Sequence, residues 1–165
     1  MKRGDVLFFG SRTWISSLIR WTLKSRYSHV AVALSDDLVF EADWDGVHTH
    51  KMTKYPQSLF WHKAVTVFDS KEDIEDFIKG LLSEEGKPYD YLQVVNLVFN
   101  RIFHISRCND VLLNSANRFI CSELISKHLI RKGFSFKLPL AQINPEDLET
   151  HLDLFLEEKR NAKKP

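Results

Sequence analysis

The sequence has few cysteines and few glycines, and it lacks a long apolar run. Two of its 165 residues are cysteine, Cys108 and Cys121, and six are glycine. With so few glycines the chain has no phosphate-binding or dinucleotide-binding glycine pattern. Its most apolar segment, 94–105, is interrupted by polar residues and falls short of the roughly 20 apolar residues of a membrane helix.

The sequence also lacks an excess of charge. Its 23 lysines and arginines are matched by 22 acidic residues, which leaves a formal net charge of +1. Electrostatic attraction to nucleic acid is therefore not expected. The basic start is followed by an apolar run, 6–9, that is too short for a signal peptide. We therefore expect a cytoplasmic protein with both thiols reduced.

What the chain does have is the composition of one globular domain. It is 44% hydrophobic and 27% charged, and its length suits a single core. We expect one domain over residues 1–158, followed by a charged, frayed tail over 159–165.

The order of apolar patterns predicts an α+β fold with an antiparallel meander. Strands are predicted at 5–9, 29–34, 38–42, 46–51 and 64–68. Helices are predicted at 14–22, from Ser70 to Gly86, at 91–103, from 119 or 120 to 132, and from 145 toward 157. The apolar residues of the first helix are expected to pack on the sheet.

Cys121 lies close to the start of a predicted helix. Free backbone N–H groups and the helix dipole stabilise a thiolate at that position, which favours a reactive cysteine. Taken alone the pattern is weak, because free cysteines are usually small buried hydrophobes. Cys108, in a polar segment, has no such feature.

His29 begins a strand in which Ala31 and Ala33 share its face. These small residues leave room for another element, and the Cys121 helix is expected there. If residues 35–37 form a three-residue turn, Glu41 lies opposite Ala31 and Asp43 opposite His29. Both acids then share the face of the histidine, and either is a candidate to orient its ring.

These residues are the parts of a cysteine hydrolase. Such an enzyme needs a histidine to accept the thiol proton and a polar group to fix the imidazole tautomer. Cys121, His29 and one of the two acids, Glu41 or Asp43, supply them. The N–H of Cys121 is the expected oxyanion donor, and Tyr27 is a candidate to line the substrate pocket, although an aromatic residue there fits packing equally well.

Five short motifs carry a resemblance to a known family. They are Gly4-Asp5-Val6-Leu7-Phe8, Ser28-His29-Val30-Ala31-Val32, Val39-Phe40-Glu41-Ala42, Gly86-Lys87-Pro88-Tyr89-Asp90 and Phe119-Ile120-Cys121-Ser122-Glu123-Leu124. In this order they resemble the circularly permuted branch of the NlpC-type papain-like cysteine hydrolases, which is akin to lecithin retinol acyltransferase-like enzymes. The resemblance implies a papain-like fold with Cys121 as nucleophile, His29 as base and Glu41 as third member.

The resemblance also favours a substrate class. It implies cleavage of an amide bond in a small peptide, such as a peptidoglycan fragment, without a cofactor. The alternative with the same chemistry is an acyltransferase or lipid hydrolase, with an acyl pocket lined by Tyr89, Tyr91, Phe99 and Phe103 and a peripheral membrane contact through the first helix. A third reading is a binding module without catalysis.

A metal site is the remaining alternative. His48 and His50 alternate on one strand face, near Asp43 and Asp45. Exposed strand histidines explain this spacing as well, so no metal is expected.

Overall fold

A computed structural model describes residues 1–88 and 121–162, and all structural statements below concern these residues. They form an α+β fold in which one antiparallel sheet packs against helices. The elements are β1 (Val6–Ser11), α1 (Trp14–Leu23), β2 (His29–Ala33), β3 (Leu38–Asp43), β4 (Gly46–Lys51), β5 (Phe60–Val65), α2 (Lys71–Leu82), α3 (Cys121–Arg131) and α4 (Pro145–Ala162).

The sheet has the strand order β4-β3-β2-β1-β5. The first four strands form the predicted meander, but β5 returns to pair with β1 at the opposite edge. β5 also begins at Phe60, whereas the sequence predicted a strand at 64–68. The first residues of β5 are mostly exposed, as an edge strand allows, and their sequence therefore carries no buried-strand pattern.

The β2–β3 hairpin has the predicted register. Ala31 pairs with Glu41, and the Leu34 N–H donates to the carbonyl of Leu38 at 2.9 Å, which closes the turn. The Ser35 hydroxyl holds the turn by accepting from the N–H of Leu38. Glu41 thus lies on the same face of the sheet as His29, opposite Ala31, which is two residues further along β2.

The two faces of the sheet have separate apolar cores. Leu124 and Ile125 of α3 lie in the same cluster as Val30 and Val32. Ala31 lies in a second cluster, where Met52 and Tyr55 supply the cover. The expectation that α3 lies on the alanine face is therefore wrong, because the chain after β4 already covers it.

The helix ends follow their capping signals. Ser70 accepts from the Asp73 N–H and begins α2, and Asn144 Oδ1 accepts from the N–H of Glu146 and Asp147, at 2.9 Å each, to begin α4. α4 continues to Ala162, so the tail predicted at 159–165 is helical over its first residues. The basic residues of this last turn suit the helix dipole, and Lys159 also lies 3.4 Å from Asp69.

Helix α1 forms as predicted, but it presents polar residues to the rest of the fold. Its buried residues are Ser16 and Thr22, whereas Trp14 is 75% exposed and Trp21 is 56% exposed. The Ser16 hydroxyl bonds to that of Ser28 at 2.7 Å. The Ser16 hydroxyl also accepts from the N–H of Ser11 in β1 at 3.1 Å, so α1 packs on the sheet as predicted. The contact is made by its polar side, and the expectation that its apolar residues make it is wrong.

Some predictions fall outside the described residues. These are the helix at 91–103, Cys108 and the aromatic residues proposed for an acyl pocket. Within residues 1–88 and 121–162, none of the helices has the length and apolar character needed to cross a bilayer.

Candidate active site

The fold brings the three predicted catalytic residues together from three elements. His29 is the first residue of β2, Glu41 lies in β3, and Cys121 is the first described residue of α3. Cys121 is buried in the cluster that α3 shares with the sheet. The site therefore depends on the hairpin register and on the packing of α3.

His29 and Glu41 form a direct pair. His29 Nε2 lies 2.7 Å from Glu41 Oε2, and the Glu41 side chain is fully buried. An ionised carboxylate only accepts, so Nε2 donates and Nδ1 is the ring nitrogen left for the thiol. Asp43, the other candidate to orient His29, instead contacts His48 and Lys54.

The Cys121 sulfur is the second partner of the His29 ring. Burial lowers the pKa of His29, but the negative charge of Cys121, a hydrogen bond to Cys121, and the hydrogen bond and charge of Glu41 outweigh burial and raise that pKa to about 10. The charged form of the ring is thus stabilised from both sides, by the Cys121 sulfur and by the Glu41 carboxylate. A cysteine nucleophile requires a histidine held in this way.

Glu41 is held ionised by three donors. Burial raises its pKa, but the hydrogen bond and charge of His29, with a hydrogen bond from Tyr55 and the charge of Lys54, lower it to about 2. Tyr55 Oη donates to Glu41 Oε2, the same oxygen that His29 contacts. Lys54 Nζ lies 3.2 Å from Oε1. Glu41 therefore keeps its charge at neutral pH.

Tyr55 and Lys54 are site residues that sequence reasoning missed. Both come from the short segment after β4, which has no strand or helix periodicity to draw attention to it. The Tyr55 ring stacks on Phe9 with centroids 4.6 Å apart. Burial and the charge of Glu41 raise the pKa of Tyr55, so its hydroxyl remains a donor.

Two further site predictions have different outcomes. Tyr27 is buried in the main core, and its hydroxyl donates to Glu149 at 3.0 Å, so its contacts are those of a packing residue. The oxyanion donor proposed at the N–H of Cys121 stays a prediction, since the residues before Cys121 lie outside the described ranges.

A second polar cluster lies on the β3–β4 hairpin. It contains Asp43, Asp45, His48 and His50, whose candidate ligand atoms all lie within 4.8 Å of one another. Both histidines are half-buried rather than exposed, and each contacts another member of the cluster. These are the residues of the described chain that are placed to hold a metal.

Comparison with solved structures shows a shared fold. The crystal structure of the metalloprotein yiiX (DUF1105) from Escherichia coli O157:H7 is similar to this chain, with a TM-score of 0.52 and 23% sequence identity, covering 86% of this chain and 78% of that one. A likeness at this identity carries no activity across. No family model matches the chain, and no curated protein matches it. The resemblance to NlpC-type hydrolases therefore stays a prediction.

Proposed function

We propose that this protein is a cysteine hydrolase of papain-like, circularly permuted architecture that cleaves an amide bond through a thioester intermediate. The observation that carries the proposal is that one imidazole, His29, contacts both the Cys121 sulfur and a buried carboxylate. A structural histidine needs a partner for its ring, but it does not need a thiol on one side and an ionised acid on the other.

In the first step the Cys121 thiolate attacks the substrate carbonyl carbon, and the carbonyl electrons move onto oxygen. When the tetrahedral intermediate collapses, the C–N bond breaks, and His29 gives the proton on Nδ1 to the leaving nitrogen. An amine departs and a thioester with Cys121 remains. Glu41 stays ionised throughout and holds the ring by its contact with Nε2.

In the second step water hydrolyses the thioester. His29 Nδ1 accepts a proton from the water as its oxygen attacks the acyl carbon, and the C–S bond then breaks. The products are a carboxylic acid and the thiolate, paired again with the His29 imidazolium. The residues of the site supply every proton transfer in this cycle.

Trapping the thioester tests this chemistry directly. In a Cys108→Ser parent, whose one thiol is Cys121, brief exposure to p-nitrophenyl acetate and an acid quench should give an acetyl adduct on Cys121 by intact mass. His29→Ala should slow its formation by about 10²-fold or more. His62→Ala, a histidine on the exposed part of β5, is the matched control and should leave the rate unchanged. Equal rates in all three proteins would contradict the proposal.

The preferred substrate is a small peptide of the cell-wall type, as the resemblance suggests. Incubation with a peptidoglycan stem peptide, with an N-acyl amino acid and with a long-chain ester separates the substrate classes by product mass. Release of an amino-terminal fragment from the stem peptide supports the peptidase. Turnover of only the long-chain substrates favours the lipid alternative.

The exposed apolar side of α1 favours a lipid substrate as the second candidate. Beside the exposed Trp14 and Trp21, the side chains of Ile15 and Leu18 are also exposed, and Arg20 packs its guanidinium 4.9 Å from the Trp61 ring centroid. Tryptophans next to basic residues are typical of surfaces that bind the membrane interface. The same Cys121 and His29 chemistry would then act on an acyl lipid.

A binding module without catalysis is the third candidate, and it predicts no acyl adduct on Cys121.

The similar structure is called a metalloprotein, and a bound metal in this chain is compatible with the proposed chemistry. Neither the attack by Cys121 nor the proton transfer by His29 uses a metal ion.

A further inference from the structure

Two histidines of β4 direct their ring nitrogens to the same point. His48 and His50 lie two residues apart, so their side chains share one face of the strand. Their Nε2 atoms lie 2.7 Å apart, and the rings are nearly perpendicular, at 86°. Asp43 Oδ1, from the neighbouring strand β3, lies 2.9 Å from the same His48 Nε2.

Hydrogen bonding within this cluster leaves one contact unfavourable. His48 Nε2 carries either a proton or a lone pair. If it is protonated, its single N–H is directed to either His50 Nε2 or Asp43 Oδ1. If it is not, its lone pair faces a carboxylate oxygen. A cation that binds both ring nitrogens and the carboxylate removes this conflict.

We propose that Asp43, His48 and His50 bind one divalent transition cation, with Asp45 as a further ligand. Two imidazole nitrogens and carboxylate oxygens suit Zn²⁺ and its first-row neighbours, whereas Mg²⁺ and Ca²⁺ prefer oxygen ligands alone. Zn–N bonds of about 2.0–2.1 Å in a tetrahedral site separate two nitrogens by about 3.3 Å. The two rings therefore need to open by about half an ångström, which small side-chain rotations supply.

Contacts at the turn of the β3–β4 hairpin hold these residues in place. Gly46 has a φ of +113°, and a Cβ there would lie 2.9 Å from the carbonyl oxygen of Lys87. Val47 donates its N–H to that same oxygen at 2.9 Å. The Asp45 N–H also donates to Asp43 Oδ1 at 2.9 Å. The ligands are thus held close together before a metal binds, which lowers the cost of forming the site.

Lys54 competes with the metal for Asp43. Its ammonium group contacts both Asp43 and Glu41, so a divalent cation must share or displace this positive charge. Removing the Lys54 charge should therefore strengthen metal binding, whereas surface histidines that bind metal adventitiously would not respond to it.

Titration with Zn²⁺ by calorimetry tests the site in the wild type and in a Cys108→Ser/Cys121→Ser protein, which removes the thiols as zinc ligands. Both should bind one equivalent. His48→Ala and His50→Ala should each weaken binding at least about tenfold, whereas His62→Ala, the matched control, should not. Lys54→Met should tighten binding severalfold.

Co²⁺ supplies a readout that is independent of the variants. The wild type should develop the intense visible d–d bands of a four-coordinate site with nitrogen ligands, and one equivalent of Zn²⁺ should remove them. His48→Gln and His50→Gln replace the alanine variants if thermal melts show that those unfold.

Weak binding without fixed stoichiometry would overturn the proposal. So would equal binding by His62→Ala and the β4 variants, or a Lys54→Met protein that binds no tighter than the wild type. Because the thiol-free protein must still bind zinc, this result does not depend on the proposed hydrolase activity.

Discussion

Two buried glutamates of this protein have nearly the same set of partners. Glu41 is 1% exposed and Glu149 is 2% exposed. Glu41 accepts from the hydroxyl of Tyr55 and from a lysine ammonium, that of Lys54. Glu149 likewise accepts from the Tyr27 hydroxyl at 3.0 Å and from the ammonium group of Lys63 at 2.7 Å.

The third partner separates the two clusters. Glu41 pairs with the imidazole of His29, which also contacts a thiol, whereas Glu149 pairs with the guanidinium of Arg26 at 2.6 Å. A guanidinium stays protonated over the whole pH range in which proteins are folded, so it cannot act as a base. A buried carboxylate with several partners therefore does not by itself indicate catalysis. The informative feature is a third partner, such as the imidazole of His29, that can both accept and donate a proton.

Removal of the third partner, His29 or Arg26, should give the largest difference between the two clusters. His29→Ala should slow iodoacetamide alkylation of Cys121 at pH 6 by about 10²-fold or more, because no base remains to ionise the thiol. Arg26→Ala should leave that rate unchanged. Alkylation read by peptide mass spectrometry in the Cys108→Ser parent measures both, and equal rates in the two variants would place Cys121 outside the influence of His29.

Neutralising the two carboxylates should separate reactivity from stability. Glu41→Gln should lower the alkylation rate at pH 6 by about tenfold to a hundredfold, because an amide stabilises the imidazolium less than a carboxylate does. Glu149→Gln should leave the rate alone and reduce the free energy of unfolding by about 1–3 kcal/mol. Kinetics and urea titration of both variants test this, and a kinetic defect in Glu149→Gln would contradict it.

Tyr55 and Tyr27 should show the same separation between Cys121 reactivity and fold stability, with smaller effects. Tyr55→Phe removes one donor to Glu41 and should slow alkylation by less than about tenfold. Tyr27→Phe should destabilise the fold by about 1–3 kcal/mol without changing the rate. If Tyr27→Phe slows the reaction more than Tyr55→Phe, Tyr27 belongs to the substrate pocket after all.

The pairing of His29 with Glu41 was largely predictable from sequence. The short turn at 35–37 fixes the hairpin register, and the period of two then places Glu41 on the face of His29. Tyr55 and Lys54 were not predictable, because they reach Glu41 from a single 3-10 turn, Met52–Lys54, and the residue after it. A turn this short leaves no periodic pattern in the sequence. The resemblance named Cys121, but it carried no information on these supporting donors.

The errors elsewhere have a common physical origin. Periodicity shows that α1 has an apolar side, but it does not show which side the rest of the protein covers. In α1 the covered side is the one with Ser16 and Thr22, where hydroxyl hydrogen bonds permit close packing. Similarly, β5 is an edge strand, and its exposed residues gave no buried-strand signal.

The raised pKa of His29 also makes the stability of the fold depend on pH. Because the pKa of His29 is raised from 6.5 to about 10, its protonation stabilises the folded state fully below pH 6.5, and that contribution is lost as the pH rises toward 10. The stability advantage of the wild type over His29→Gln should therefore shrink between pH 6 and pH 10. Urea unfolding at several pH values measures it, and a constant difference would argue against the raised pKa.

The central claim is that His29 and Cys121 form a charged pair in the folded protein. The most direct measurement is an NMR titration of the His29 ring in the wild type and in Cys121→Ser. The charged pair predicts that His29 remains protonated well above pH 7 in the wild type and that its pKa falls when the sulfur is replaced by a neutral hydroxyl. The same His29 pKa in both proteins would contradict the account.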